Sequence, residues 1–216
     1  MENVLLEIAA NLYDGEEKEV AGLVQKALDN GIAPQEILSA GLVAGMDKVG
    51  KDFKTGVLFV PEVLRTARAM HAGMDILRPL LVQSGPGFTT DKCIIGTVKG
   101  DLHDIGKNLV KMMLEGAGFE MVDLGTDVGP EAFVAAVRHH QPKLLALSAM
   151  LTTTMVSMRA IIEALTASGL RDSIKIMIGG APLTADYATQ IGADAYAPDA
   201  ASAVEVARSL IGLAKK

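Results

Sequence analysis

The sequence predicts a helical region followed by a doubly wound sheet of five parallel strands, that is, an α part joined to an α/β part. Up to about residue 84, apolar residues recur at helical spacing; from about residue 92, short apolar runs alternate with amphipathic helical stretches. The run Ser84-Gly85-Pro86-Gly87 interrupts both patterns and predicts a linker. We therefore expect a helical domain over 1–84, a linker over 85–91 and a sheet domain over 92–216.

Three breaks divide the helical region into four predicted helices. They are Gly15, the stretch from Gly31 to Pro34, and the stretch from Gly56 to Pro61. Pro34 and Pro61 suit the first turns of the third and fourth helices. Only 4% of the residues are aromatic and Trp is absent, so the core must consist of Leu, Ile, Val, Ala and Met, which suits helices and buried parallel strands.

The second half contains five predicted βα units. Their strands read as continuous apolar runs, which indicates a parallel sheet covered by helices on both faces. The strands are expected at Cys93 to Val98, Glu120 to Leu124, Leu144 to Ser148, Ile174 to Ile178 and Ala195 to Tyr196. The helices are expected to begin near Ile105, Pro130, Thr153, Thr184 and Ala200.

Charge and composition exclude several classes of function. A net charge of −6 and a pI near 5.2 argue against nucleic acid as the main partner, because neutralising phosphates needs clustered Lys and Arg. The single cysteine, Cys93, cannot form an internal disulfide, and the first residues do not resemble a signal peptide. The longest weakly polar stretch, 144–156, is too short to cross a bilayer. We therefore expect a cytoplasmic protein that binds neither nucleic acid nor membrane.

Unusual residues follow three of the predicted strands. The first strand runs into Lys99 to Gly106, the third into Ser148 to Thr154, and the fourth into Gly179 to Ala181. In an open parallel sheet, ligands bind beyond the carboxyl ends of the strands, where the strand order reverses. If the order is 2-1-3-4-5, these three loops are neighbours at that point.

The first loop carries Asp101 two residues before His103. A carboxylate at this spacing can accept the Nδ1 proton of the imidazole, which leaves Nε2 as an outward lone pair suited to a metal. The alternative is a surface histidine with Asp101 and Asp104 capping the next helix, and for an isolated D-x-H this alternative is the commoner one. The position beside two other unusual loops favours the ligand interpretation.

The other two loops are rich in hydroxyls and glycines. Ser148, Thr152 and Thr154 lie among four hydroxyl residues within seven positions, more than helix capping requires, so some are expected to face a polar ligand group. Gly179 and Gly180 would let a ligand approach the backbone closely. Taken alone, such a pair more often marks only a tight turn.

Together these residues resemble the signature of the cobalamin-binding domains of methionine synthase and of the small corrinoid proteins of bacterial and archaeal methyltransferase systems. That signature is D-x-H-x-x-G, then S-x-L, then G-G, on three loops. Here Asp101, His103 and Gly106 form the first part. After the 41 residues 107–147 comes Ser148-Ala149-Met150, and after the 28 residues 151–178 comes Gly179-Gly180. Met150 replaces the usual Leu and fills a similar volume.

The resemblance implies cobalamin bound base-off and His-on, with its benzimidazole displaced. His103 is then the lower cobalt ligand, Asp101 orients it, and Thr154 completes a hydrogen-bonded triad in which methionine synthase has a serine. Ser148 and Thr152 are expected to contact the displaced nucleotide tail, while Gly179 and Gly180 line its slot. Gly106 and Met150 are expected at the cofactor as members of the signature.

The helical half resembles the cap domain that covers the upper, methyl-bearing face of the cofactor. The resemblance lies in Gly45 to Gly56 and the following Phe59 to Val63. It places Phe53, Val60 and Val63 over the cobalt. The residue pattern alone makes each of them a core residue, an interpretation that stays favoured for Val63.

The resemblance also implies a flavodoxin-like, Rossmann-like sheet domain and the function of a methyl carrier. Such a protein accepts a methyl group from a substrate-specific methyltransferase and passes it to a methylcorrinoid:acceptor methyltransferase, which acts on a tetrahydrofolate-type or thiol acceptor. Methylcobalamin is then the working form, and a reductive activase is a further partner. The cap must move aside for each transfer, and Gly85 and Gly87 are suitable hinges. The methyl donor is not specified.

Three alternatives remain open at this stage. A cobalamin-dependent sensor shares both domains but usually carries an output domain, which we do not expect here because the chain begins in the cap and stops soon after the last helix. The small subunit of an adenosylcobalamin mutase shares the sheet domain but lacks the four-helix cap. A flavodoxin-like domain without any corrinoid would stay colourless after reconstitution with cobalamin.

Overall fold

The computed structural model describes residues 2–83 and 91–213. The chain divides into two compact units, a helical unit of residues 1–90 with 116–118, and a sheet unit of residues 91–115 and 119–216. The predicted boundaries at 84 and 92 stay predictions. Residues 85–90 of the predicted linker, which include the glycines expected as hinges, lie outside the described residues.

Four helical segments make up the helical unit, as predicted, and the third changes its hydrogen-bonding pattern along its length. The segments are α1 (Glu2–Asp14), α2 (Glu17–Asp29), α3 (Pro34–Glu36) continuing through a π-helical stretch (Ile37–Val43) into α4 (Ala44–Lys54), and α5 (Val60–Gln83). Gly15, Gly31 and Gly56 have φ values of 75–77°. Because glycine adopts this left-handed conformation without strain, these positions end the helices.

Small residues allow the third segment to pack closely on α1. A Cβ added at Gly41 would lie 3.1 Å from Ile8 Cγ2, and one at Gly45 would lie 3.0 Å from the carbonyl oxygen of Ala9. Helix α2 packs between α1 and α5. The core is aliphatic, as the composition predicted, and its fully buried members include Ile8, Leu12, Val20, Val24, Ile37, Leu42 and Leu77.

The sheet unit is an open, fully parallel sheet with the order β2-β1-β3-β4-β5, which confirms the predicted fold class. Its strands are β1 (Lys92–Thr97), β2 (Glu120–Asp123), β3 (Leu144–Ser148), β4 (Lys175–Gly179) and β5 (Ala195–Ala197). Its helices are α6 (Ile105–Gly116), α7 (Pro130–His140), α8 (Thr152–Ala167), α9 (Ala185–Ile191) and α10 (Ala200–Leu210), with a short 3-10 turn at Arg171–Ser173.

The central strands are buried on both faces, as their continuous apolar sequence predicted. Residues Cys93 to Thr97 of β1 and Leu144 to Leu147 of β3 are all buried. Burial raises the pKa of the Cys93 thiol, which fits a packing role for this side chain. Within the described ranges, the chain has no helix of the length and apolar character that a bilayer span requires.

Candidate functional site

Three loops leave the sheet at the same level of its carboxyl edge. Thr97 at the end of β1 pairs with Ser148 of β3, and Ser148 pairs with Gly179 of β4. Strand β1 has β2 on one side and β3 on the other, so the strand order reverses here. The unusual residues of the sequence therefore meet at the switch point of the sheet, where α/β folds bind ligands.

The Asp101 carboxylate lies at the centre of this edge and accepts four hydrogen bonds. Its Oδ1 accepts the backbone N–H of His103 at 3.0 Å and lies 2.7 Å from His103 Nδ1. Its Oδ2 accepts the backbone N–H of Met150 and the hydroxyl of Thr154, both at 2.7 Å. Burial of this fully enclosed side chain would raise its pKa, but the four hydrogen bonds outweigh burial and hold the pKa well below its usual range. Asp101 is therefore an ionised acceptor at neutral pH.

The charge of Asp101 determines the state of the His103 ring. Because an ionised carboxylate only accepts hydrogen bonds, Nδ1 must carry the proton that they share. In the neutral imidazole, the lone pair is then on Nε2, which has no hydrogen-bonding partner among residues 2–83 and 91–213. The His103 side chain is 56% exposed, so this nitrogen is accessible to a ligand. A metal-binding histidine is held in the same way, by a carboxylate on its other nitrogen.

Thr154 joins Asp101 from the first turn of α8. Its single hydroxyl proton has two acceptors in reach, Asp101 Oδ2 at 2.7 Å and the carbonyl oxygen of Leu151 at 3.0 Å. The shorter distance and the negative charge favour Asp101. His103, Asp101 and Thr154 thus form one continuous hydrogen-bonded chain.

The hydroxyls and glycines around this hydrogen-bonded triad are of two kinds, those that make contacts inside the protein and those that do not. Within the described part of the chain, the hydroxyls of half-buried Ser148 and exposed Thr152 make no hydrogen bond. A Cβ added at Gly106 would meet no atom within 4 Å. In contrast, Gly180 has a φ of 137°, and a Cβ there would lie 1.8 Å from the carbonyl oxygen of Ala149. The backbone therefore requires glycine at 180, whereas it leaves space at 106.

Family comparisons assign both halves of the chain. Residues 91–207 match the B12 binding domain family, and residues 4–78 match a second B12 binding domain family. The chain belongs to the B12-binding proteins. It is 41% identical over 212 residues to a corrinoid protein of Desulfitobacterium hafniense, covering 97% of this chain and 98% of that protein. It is 40% identical to trimethylamine corrinoid protein 1 of Methanosarcina acetivorans, with the same two coverages.

A solved structure agrees in fold with this B12-binding chain. The match is to the methanol:cobalamin methyltransferase complex of Methanosarcina barkeri, with a TM-score of 0.85 and 32% identity, covering 97% of this chain and 80% of the matched chain. The cap-plus-sheet architecture that the sequence resemblance implied is thereby confirmed.

The surface next to His103 fits a large, partly apolar cofactor. Leu102 is 73% exposed and Ile105 is 82% exposed, and Met150 and Leu151 on the neighbouring loop are also exposed. Exposed apolar side chains clustered around a polar motif suit contact with the edge of a macrocycle. Within 2–83 and 91–213, no group of three or more His, Cys, Asp or Glu side chains is placed to hold a metal ion.

Among these apolar residues, only Met150 was predicted at the site from the sequence. The signal for Leu102, Ile105 and Leu151 was available, because each is a large apolar residue beside a motif residue, either in a predicted loop or at the predicted start of a helix. Of the residues expected over the cobalt, Phe53 is half-buried near the end of α4, Val60 is exposed at the start of α5, and Val63 is fully buried. Val57 and Phe59 beside them are exposed, and the site prediction did not include them.

A buried lysine that was not predicted from the sequence lies directly after Gly106. Lys107 is 3% exposed, and its ammonium donates to both Asp123 oxygens and to Asn108 Oδ1, each at 2.7 Å. Burial would raise the pKa of Asp123, but the hydrogen bond from Lys107 and further contacts lower it. The pair ties the first turn of α6 to the end of β2. A lone Lys in an amphipathic helix gave no sequence signal for this role.

Proposed function

We propose that this chain carries a methyl group on the cobalt of a bound corrinoid, with His103 as the lower ligand in the base-off, His-on form. The observation that supports this proposal is the fixed imidazole, whose Nδ1 is held by a buried, ionised Asp101 while Nε2 has no partner in the described part of the chain. When bound, the corrinoid supplies a metal centre that accepts a methyl group from one molecule and releases it to another.

The role of Asp101 and Thr154 in this proposal is to hold the imidazole proton. Asp101 keeps the proton on Nδ1, so that the Nε2 lone pair would be available to hold the cobalt. Hydrogen bonds from Thr154 and the Met150 backbone stabilise the negative charge of Asp101. These contacts tune the basicity of the imidazole, because a stronger pull on the proton makes the other nitrogen a better donor.

The neighbouring loops would bind the nucleotide tail. The unpartnered hydroxyls of Ser148 and Thr152 supply hydrogen bonds, and the open space at Gly106 allows close approach. Gly179 and Gly180 would line the slot for the tail, in addition to the backbone packing that Gly180 permits. In the helical unit, half-buried Phe53 and exposed Val60 would cover the upper face, whereas fully buried Val63 would support them from the core of that unit.

Methyltransferases are the expected partners, because the solved complex that this chain matches is a methanol:cobalamin methyltransferase complex and the relatives are corrinoid proteins. We propose a substrate-specific methyltransferase as donor, a methylcorrinoid:acceptor methyltransferase as recipient, and a reductive activase that restores the reduced cofactor. Relatives named for trimethylamine and dimethylamine are 40% and 41% identical to this chain, and the solved complex named for methanol is 32% identical to it. We infer that the partner enzyme selects the methyl donor.

The test of ligation is the visible and electron paramagnetic resonance spectra of protein reconstituted with cobalamin. Wild type should show nitrogen splitting from one imidazole in the Co(II) form, and H103A should bind the cofactor without that signal. H139A is the matched control, since His139 lies exposed at the end of α7 and should leave the spectrum unchanged. An H103A spectrum identical to that of wild type would refute the ligand assignment.

The test of methyl transfer uses the reduced wild-type protein with candidate methyltransferases and methanol, methylamines, methoxylated aromatics or glycine betaine as donors. Conversion to the methylated spectrum with one enzyme and donor pair is the expected result. If no pair gave conversion although the imidazole signal was present, the carrier function would be wrong and the binding site would stand.

A further inference from the structure

The loop that carries His103 is also held through its main chain, by a residue that the ligand chemistry does not use. This residue is Asp127, which follows β2. Its Oδ1 accepts the backbone N–H of Gly100 at 2.8 Å, and its Oδ2 accepts the ammonium of Lys99 at 3.0 Å. Its own backbone N–H donates to the carbonyl oxygen of Asp101 at 3.0 Å. Asp127 thus contacts three successive residues of the loop.

The backbone of Asp127 is in a conformation that an ordinary residue avoids. Its φ is 57°, in the left-handed region, and Gln141 is the one other non-glycine residue with positive φ among those described. Such a conformation is strained for a residue with a side chain and persists where surrounding contacts impose it. Glycine would fit without strain, so the carboxylate contacts are what distinguishes aspartate from glycine at this position.

Asp127 is itself held in place by an extension of the sheet. The N–H of Thr97 donates to the carbonyl oxygen of Gly125 at 2.9 Å, and the N–H of Val128 donates to the carbonyl oxygen of Thr97 at 3.0 Å. Residues 125–128 therefore lie along the end of β1. Asp127 is fixed between these two contacts and can hold the loop at a defined distance from the strand.

The segment held by Asp127 is a tight turn that sets the direction of Asp101 and His103. The N–H of Asp101 donates to the carbonyl oxygen of Val98 at 3.1 Å, and Gly100 has a φ of 84°, as the third residue of a type II turn requires. The Gly100 N–H is not used inside the turn and goes to Asp127 instead. Beyond the turn, the hydroxyl of buried Thr97 donates to the carbonyl oxygen of His103 at 2.9 Å.

We propose that Asp127 is a positioning residue, which fixes the backbone of the turn so that the Asp101 carboxylate and the His103 ring meet the cofactor in one geometry. This inference rests on the proposed role of His103 as the lower ligand. Thr154 and Met150 hold the loop through the Asp101 side chain, and Asp127 holds it through the main chain. Loss of either restraint widens the range of ring positions and lowers the fraction of cobalt that is ligated.

The test compares four variants by the ratio of imidazole-ligated to unligated Co(II) in reconstituted protein. D127A and D127G should lower the ratio roughly tenfold, the effect of one charge-assisted hydrogen bond. D127N should recover most of the loss, because its amide oxygen still accepts the Gly100 N–H. K99A should resemble wild type, because the exposed ion pair contributes little.

Gln141 supplies the matched control. Q141G removes a side chain from the same left-handed conformation at the end of α7, and D127G and Q141G should both relieve backbone strain. Only D127G should change ligation. An equal fall of the ratio in Q141G, or a wild-type ratio in both D127A and D127G, would overturn the proposal. A fall in K99A as large as in D127A would assign the effect to the ion pair and would likewise overturn it.

Amide hydrogen exchange in the cofactor-free protein separates this proposal from the function on which it rests. D127A should speed exchange at Gly100 and at His103, whose amides are bonded to Asp127 and Asp101. If wild type showed no imidazole ligation, the assignment of His103 would be wrong, and exchange would still decide whether Asp127 fixes the loop. Unchanged exchange in D127A would contradict the positioning role whatever the spectrum.

Discussion

Replacing Asp101 by Asn tests the central feature of the site, because it removes the charge and one acceptor while keeping the shape. The side-chain amide has one oxygen, whereas both carboxylate oxygens of Asp101 accept two hydrogen bonds each. If the amide oxygen faces His103, the NH2 group faces the Met150 N–H and the Thr154 hydroxyl. Thr154 can turn its proton to the Leu151 carbonyl, 3.0 Å away, and accept from the NH2. The Met150 N–H can only donate, so it is left facing the NH2 group without an acceptor.

The magnitude follows from these hydrogen bonds. One buried N–H left without an acceptor costs about 1–3 kcal/mol, and two charge-assisted bonds from His103 that become neutral lose about 1 kcal/mol each. Removing a buried charge offsets part of this loss. We expect D101N to lower the free energy of unfolding by about 3 kcal/mol, measured by urea denaturation of the cofactor-free protein and followed by circular dichroism.

The pH dependence of this difference in stability gives an independent test. The pKa of Asp101 in the folded protein lies below its unfolded value of about 3.9, so its stabilising contribution is complete above about pH 5. This contribution is lost as the pH falls through the unfolded and then the folded pKa. The stability difference between wild type and D101N should therefore narrow between about pH 5 and pH 3.

The matched control is D104N, the same chemical change three residues along the chain. Asp104 is exposed, and its side chain accepts one hydrogen bond, from Asn108. We expect a change within about 0.5 kcal/mol. Equal effects of D101N and D104N, or a difference from wild type that does not narrow at low pH, would refute the account of Asp101 as a buried, ionised acceptor.

Three further predictions concern neighbouring positions. G106A should leave the cofactor-free protein at least as stable as wild type, because the new methyl meets no atom and alanine favours the helix more than glycine does, and it should weaken cobalamin binding in a spectroscopic titration. G180A should instead lower the thermal stability, because its Cβ would overlap the Ala149 carbonyl. T154V should cost about 1–2 kcal/mol in urea denaturation and T154S much less, since only the serine keeps the hydrogen bond to Asp101. Finally, Cys93 should react with a thiol reagent only at the rate of unfolding, because burial raises its pKa and removes it from solvent; rapid labelling of native protein would contradict this.

The fold could be predicted from the sequence because each element carries a local signal. The apolar runs of β1 and β3 have no alternation, which requires a sheet covered on both faces, and glycines at 15, 31 and 56 mark the ends of helices. The π-helical stretch Ile37–Val43 had no such signal. Its apolar residues suit an α-helix equally well, so the sequence pattern does not distinguish the two.

The site was predictable where the chemistry lies within a few residues of sequence. The spacing of Asp101 and His103 was enough to predict their hydrogen bond, which the structure has at 2.7 Å. The roles of Asp127 and Lys107 could not be predicted in this way. Each depends on hydrogen bonds between segments 16–28 residues apart in sequence, which only the folded sheet brings together.

The hydrogen bonds of the His103 loop explain why the site depends on the whole sheet unit. Asp101 is bonded to residues that follow β3 and begin α8, and Asp127, which follows β2, holds the same loop through its backbone. Three strands therefore fix one imidazole before any cofactor arrives. The loop already loses its conformational freedom when the protein folds. Cofactor binding therefore does not have to compensate for that loss of entropy. Because these hydrogen bonds exist only in the folded unit, a corrinoid ligated by Nε2 would bind that unit in preference to the unfolded chain. Its binding would then raise the free energy of unfolding by RT ln(1 + [L]/Kd), which grows with the logarithm of its affinity.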